Sequence, residues 1–179
     1  SSGIGAEIAR ALARRGHGVT LVARRAELLD QLAIELTAGG VRADVIAVDL
    51  ADRSARAGLL DRIHDLGLTP AVLVNNAGLS TLGPIAKADP ESEMRMIEVD
   101  VVAVVDLCTR FLPAMVERRQ GAILNVASTA AFQPLPGQAG YGACKSFRAL
   151  VHVQPCWRAT RVRCDSHRSL PWTGRHRLR

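Results

Sequence analysis

The chain has 179 residues, 48% of them apolar and 22% charged, enough for one domain with a core and too few for two. That composition excludes a disordered or collagen-like polypeptide, and the longest apolar stretch, 99–108, is broken by Asp100 and Asp106 and is too short to span a bilayer. The net charge of +6 is unevenly spread: residues 1–145 carry 15 Lys or Arg against 16 acids, whereas residues 146–179 carry 8 Arg against Asp165 alone, so a polyanionic partner is a question for the tail only.

In chain order, Ile4, Ile8 and Leu12 have helical spacing, with Gly16 as a left-handed stop. Residues 19–23 form an unbroken apolar run, the pattern of a strand buried on both faces. Leu28, Leu29, Leu32 and Leu36 predict a helix ended by Gly39 and Gly40, before a second strand over 45–48. Leu59, Leu60 and Ile63 predict a helix ended by Gly67, and 71–74 is the third apolar run. Pro90 opens a long helix carrying Met94, Ile97, Val101, Val104, Cys108, Phe111 and Met115, with Gly121 after it and a last strand over 122–126. Strand and helix alternate with short connections, which predicts an α/β domain built on a doubly wound parallel sheet covered on both faces. Ligands in such sheets lie beyond the carboxyl ends of the strands.

Ser2, Gly3, Ile4 and Gly5 open the first helix, whose free N–H groups and dipole suit a pyrophosphate, although glycine at a helix start is also plain structure. About 20 residues on, where an acid would hold a ribose 2′-hydroxyl, stand Ala23, Arg24 and Arg25. With no acid there, Arg24 favours a 2′-phosphate and hence NADP(H) over NAD(H); a solvated surface arginine is the plainer alternative. Asp49 and Leu50 follow the next run and suit an adenine amino group and ring face, or Asp49 is a helix N-cap.

Asn75, Asn76, Ala77 and Gly78 end the third run, Asp100 follows Asn75 by 25 residues, and Ser128 ends the last run after a further 28. Ser128 precedes Tyr141 by 13 and Lys145 by 17 residues, and Tyr141 and Lys145, four apart, share one helix face. A phenol is a poor base at neutral pH, but an adjacent ammonium favours its phenolate, and a serine hydroxyl can donate to a carbonyl oxygen.

These motifs together resemble the short-chain dehydrogenase/reductase family. The end of its glycine turn is Gly3, Ile4 and Gly5, its N-N-A-G is Asn75 to Gly78, its serine is Ser128, and its Y-x-x-x-K runs from Tyr141 to Lys145. The resemblance covers about 145 residues and implies a Rossmann-like domain and hydride transfer between a nicotinamide and a small-molecule alcohol or carbonyl. It implies Tyr141 as acid and base, Lys145 on the nicotinamide ribose, Ser128 on the substrate oxygen, Asn76 on the cofactor, and Asp49 with Leu50 around adenine. Where the family has an Asn in a water-linked proton relay, this chain has Asp100, which could pair with Lys145 directly or through water and blunt its effect on Tyr141. A homo-oligomer is the expectation for intact relatives and a doubtful one here.

The family also implies a central strand ahead of Ser1, so the chain reads as a fragment whose sheet lacks its middle and its carboxyl strands, and whose own activity is expected to be impaired. Residues 1–150 are expected to form the partial nucleotide-binding and catalytic domain, with 151–179 an Arg-rich tail outside the native fold. Both tryptophans, His152, His167, His176, Cys156 and Cys164 fall in that end, and Pro155 interrupts the helix expected after Lys145. Reading one nucleotide later turns Trp172 into glycine, and residues 162–173 can then yield a buried strand and Cys-Pro-Gly-Pro, which suggests a shifted reading frame. A nucleic-acid-binding protein with this tail on an α/β scaffold is the competing reading, disfavoured because the arginines lack interleaved aromatics and a helical stripe. The four cysteines show no metal spacing, so no metal is expected, and buried reduced thiols point to the cytoplasm.

Overall fold

A computed structural model describes residues 3–151, so Ser2 and the tail with its proposed frame shift lie outside the described residues. The chain runs α1 (Ile4–Ala13), β1 (Val19–Ala23), α2 (Ala26–Ala38), β2 (Ala43–Ala47), α3 (Arg53–Ala57), α4 (Leu59–Asp65), β3 (Val72–Asn75), α5 (Pro90–Ile97), α6 (Ala103–Glu117), β4 (Ala122–Asn125) and α7 (Ala139–Val151). All four predicted strands form, within two residues of their apolar runs. The second run extends backwards because Val19 N–H bonds to Arg42 O and draws residues 43–47 into register with β1.

β1 pairs in parallel with β2 from Val19↔Ala43 to Ala23↔Ala47, and β3 pairs in parallel with β4 from Val72↔Ala122 to Asn75↔Asn125. Among the described residues these remain two separate two-stranded sheets, the incomplete doubly wound architecture read from the sequence. A cavity of about 540 Å³, bounded by Val19 and Leu21 of β1, Val72 and Val74 of β3, Ala9 of α1 and Phe111 of α6, separates the two inner edges.

Helices cover both faces because alternate strand residues point in opposite directions. Leu21 packs with Ala6 and Ala9 of α1 and with Leu29, Leu32 and Leu36 of α2. Its neighbour Val22 faces the second core, where Leu59 and Ile63 of α4 meet Leu107, Phe111 and Met115 of α6. Ile46 from one sheet and Leu73 and Ile123 from the other also enter that second core, so α4 and α6 bridge the halves.

Three local features differ from the sequence reading. α3 was missed because Arg-Ser-Ala-Arg-Ala has no apolar period; it is started instead by Asp52, whose carboxylate accepts the Ser54 and Ala55 N–H groups. The single long helix predicted from Pro90 is broken by a π-helical turn, Glu98–Val102, between α5 and α6. Gly16, Gly40 and Gly67 take the left-handed stop positions, but after α6 that role falls to Arg119 at φ 54. Gly121 serves close packing, since a Cβ there would stand 2.5 Å from Met115 Cγ.

Candidate active site

The carboxyl ends of β3 and β4 are pinned together by buried amides. Asn75 Nδ2 donates to Asn125 Oδ1 at 2.8 Å and approaches Cys108 Sγ at 3.3 Å. Asn125 was not singled out from the sequence, though a lone amide within the apolar run 122–126 was the available signal. The next residue after β3, Asn76, lies against the start of α1, where a Cβ on Gly5 would come within 2.5 Å of its Nδ2. That helix has no side-chain cap: Gly3 sits at φ 65 and the Ala6 and Glu7 N–H groups turn back to its carbonyl. Gly5 and Asn76 both border the cavity and stand too close for a Cβ on residue 5, while a Cβ on Gly3 would meet nothing within 4 Å.

Gly78 is where the candidate catalytic groups meet. A Cβ on it would lie 3.0 Å from Lys145 Nζ and 3.1 Å from both Asp100 carboxylate oxygens, a spacing that only glycine leaves free of pressure. Asp100 is fully buried in the π-helical turn; its Oδ1 accepts the Leu79 N–H at 2.8 Å, and its Oδ2, which accepts no hydrogen bond, lies 3.1 Å from Lys145 Nζ. Asp100 thus contacts Lys145 directly. Tyr141 and Lys145 share one face of α7 as the spacing predicts, with Nζ 5.3 Å from the phenol ring centre.

Ser128 follows β4, and its Oγ accepts the Ala130 N–H at 3.2 Å, capping a short 3-10 turn, Thr129–Ala131. Ser146 Oγ donates to Ala131 O at 2.8 Å, fastening α7 to that turn and so holding the Ser128 segment against the helix of Tyr141.

The other end of the site is charged. Arg24 stands exposed past β1, and Asp49 past β2 accepts from Arg95 of α5 at 2.5 Å and from Ala51 N–H at 3.0 Å. Burial would raise the Asp49 carboxyl, but those bonds and the nearby Arg24 outweigh it and hold the group below the usual carboxylate range. The N-cap role belongs to Asp52, while Asp49 latches β2 to α5. Leu50 is half-buried beside it, and its carbonyl is taken by Arg56. Arg95 escaped the sequence reading because nothing in its spacing connects it with position 49.

Arg148, three residues past Lys145, was also missed. Its guanidinium is 1% exposed, and burial pulls it below its ordinary value while Asp100 opposes that. It donates to the carbonyls of Asp100 at 2.8 Å, Val99 and Val126 at 3.3 Å, Asn75 at 3.4 Å and Ala77. Its signal was an arginine on the apolar face of the helix. Burial, and then Asp100, push the Cys144 thiol up, which keeps it neutral.

The family model for short chain dehydrogenases matches residues 1–153. A very-long-chain 3-oxoacyl-CoA reductase from Anas platyrhynchos is 38% identical over 154 residues, covering 82% of this chain and 48% of the relative. An NADP-dependent 3-hydroxy acid dehydrogenase from Escherichia coli is 35% identical over 148 residues, covering 82% of this chain and 58% of that protein. The chain spans about half the length of the curated relatives it matches. Among solved structures, a short-chain dehydrogenase from Sphingobium yanoikuyae in complex with NADPH superposes with a TM-score of 0.77 at 35% identity, over 84% of this chain and 59% of that one.

Proposed function

The chain belongs to the short chain dehydrogenase family of oxidoreductases, and from that membership we propose a site for NADP(H)-dependent interconversion of an alcohol and a carbonyl compound. The observation that carries the proposal is the cluster of Tyr141, Lys145 and Asp100 around Gly78, at the end of the sheet where a ligand belongs.

The residues present fit a dinucleotide. Gly3 and Gly5 leave the start of α1 without side chains, Asn76 closes the wall beside them, and Ala77 and Gly78 continue it towards Lys145. Arg24 would hold a 2′-phosphate, and Asp49 with Leu50 would flank adenine, with Arg95 orienting the Asp49 carboxylate. These residues and Lys145 would hold a nicotinamide, whose chemistry would be to give a hydride in reduction and accept one in oxidation.

Tyr141 gives its phenolic proton to the carbonyl oxygen in reduction and takes it back in oxidation. Lys145 Nζ stands 5.3 Å from the ring centre, and Ser128 orients the substrate oxygen. The site excludes water around Asp100 and Lys145, which are 0% and 5% exposed, so their charges act at short range with little screening. 3-Oxoacyl-CoA thioesters and 3-hydroxy acids are the first substrates to try, because relatives named for them match this chain.

The test is turnover of the full chain with NADPH and a panel of ketones and 3-oxo compounds. The Tyr141→Phe variant is expected to lose at least about 100-fold in turnover while still holding NADPH. Parent-like turnover in that variant would refute the assignment.

A further inference from the structure

Asp100 raises a physical problem that the site must solve. A carboxylate 3.1 Å from Lys145 Nζ cancels much of the positive charge that Tyr141 would otherwise feel, and Asp100 is 0% exposed, so solvent does not relieve the effect. An ionised carboxylate in such a place needs a second cation.

Arg148 is that cation by position. Its Nη2 lies 3.8 Å from Asp100 Oδ1, on the opposite oxygen from the one that faces Lys145. Its donors are spent on the carbonyls of Asn75, Ala77, Val99, Asp100 and Val126, which fixes the guanidinium rigidly and leaves its charge to act on the Asp100 carboxylate through space. The π-helical turn makes this possible, because it leaves the Val99 and Asp100 carbonyls turned towards the guanidinium.

We propose that Arg148 is a charge-balancing and positioning residue that neutralises Asp100, so that the Lys145 ammonium acts on Tyr141 undiminished. Asp100, Lys145 and Arg148 then form a buried group of net charge +1, and removing the guanidinium reduces it to zero. Arg148 also interacts electrostatically with Tyr141 itself. Of the other charged or titratable groups packed nearby, Glu98 is paired with Arg56, Arg95 with Asp49, and Cys144 is a neutral thiol, while the Glu93 carboxylate of α5 lies against Gly140 as a further negative charge common to the parent and every variant compared below. The turn after Ser128 and the segment 76–83 carry no charge.

The inference rests on the reading of Tyr141 as the proton-transfer group, but its test needs neither cofactor nor substrate. Tyr141 is the only tyrosine in the chain, so its phenolate absorbance can be followed against pH in the full protein. Arg148→Met is expected to move the appearance of that band up by about one pH unit, and Asp100→Asn to move it down by a similar amount. The double variant should return it to the parent position. Arg148→Lys, which keeps the charge and loses the fork, should stay near the parent even where the fold is weakened. A merely structural Arg148 would lower stability in each of its variants without this opposed pattern.

Asp100→Asn is nearly isosteric and can still accept from Leu79 N–H, so it decides the matter if Arg148→Met does not fold. An unmoved or upward-moving band in Asp100→Asn overturns the proposal, as does an unmoved band in a folded Arg148→Met. The predicted band shifts without any reductase turnover would leave the charge balance standing and remove the proposed function alone.

Discussion

Asp89 shows how much one polar side chain contributes to placing the site. It caps α5, accepting from Ser92 Oγ at 2.6 Å and Ser92 N–H at 3.0 Å, and α5 in turn delivers Arg95 to Asp49. The Ser92 hydroxyl first, then its N–H, hold the Asp89 carboxyl below its ordinary value. A group depressed in the folded state stabilises it above the unfolded value near pH 4 and loses that contribution as pH falls through the folded value. Asp89→Ala should therefore melt at a lower temperature than the parent at pH 7, with the gap closing below about pH 4; a gap independent of pH would contradict the assignment. At this scale the sequence was most informative where chemistry depends on short spacing. Tyr141 and Lys145 could be put on one helix face from four residues of separation. Arg95, Asn125 and Arg148 could not be paired with Asp49, Asn75 and Asp100, because those contacts join positions 46, 50 and 48 residues apart.

Elements were legible where a single period ran through them, and less so where a polar cap or a packing contact took over. The apolar runs gave all four strands, since a strand buried on both faces needs no alternation. α3 is nucleated by Asp52 and the α5–α6 break by the π-helical turn, and neither leaves a mark on hydrophobic spacing. Gly121 is the sharpest case, read as a helix stop and used instead for close approach. Its missing Cβ would collide with Met115 Cγ at 2.5 Å and Met115 Cβ at 2.6 Å, atoms near the backbone that cannot swing aside. Gly121→Ala should cost about 1–3 kcal/mol in urea unfolding, as overpacked cores do. Gly58, at φ −85 with nothing within 4 Å of a built Cβ, is the internal control: alanine there should be neutral or stabilise by about 0.4–1 kcal/mol. Equal losses at both positions would mean that backbone freedom, not contact with Met115, keeps Gly121 a glycine.

At the scale of the whole molecule, two half-sheets are held in register by α4 and α6 on one side and by the meeting of Gly5 with Asn76 at the ligand end. The start of α1 meets Asn76 just past β3, and two residues further on Gly78 meets Lys145 and Asp100, although no described strand joins β1 to β3. The doubly wound architecture was legible because alternating runs leave few topologies; the width of the gap and the bridging role of α6 were not, because they depend on contacts between the halves. No helix among the described residues is long and apolar enough to cross a membrane. The proposed function requires the full chain to hold one nucleotide at this end of the sheet. The direct measurement is titration of the purified protein with NADPH and NADH, followed by nicotinamide fluorescence, in the parent and in Lys145→Met. A saturable change is expected with NADPH, with binding at least about tenfold weaker for NADH and loss of the NADPH signal in the variant. No saturable change in the parent, or an identical titration in Lys145→Met, would contradict the proposed function.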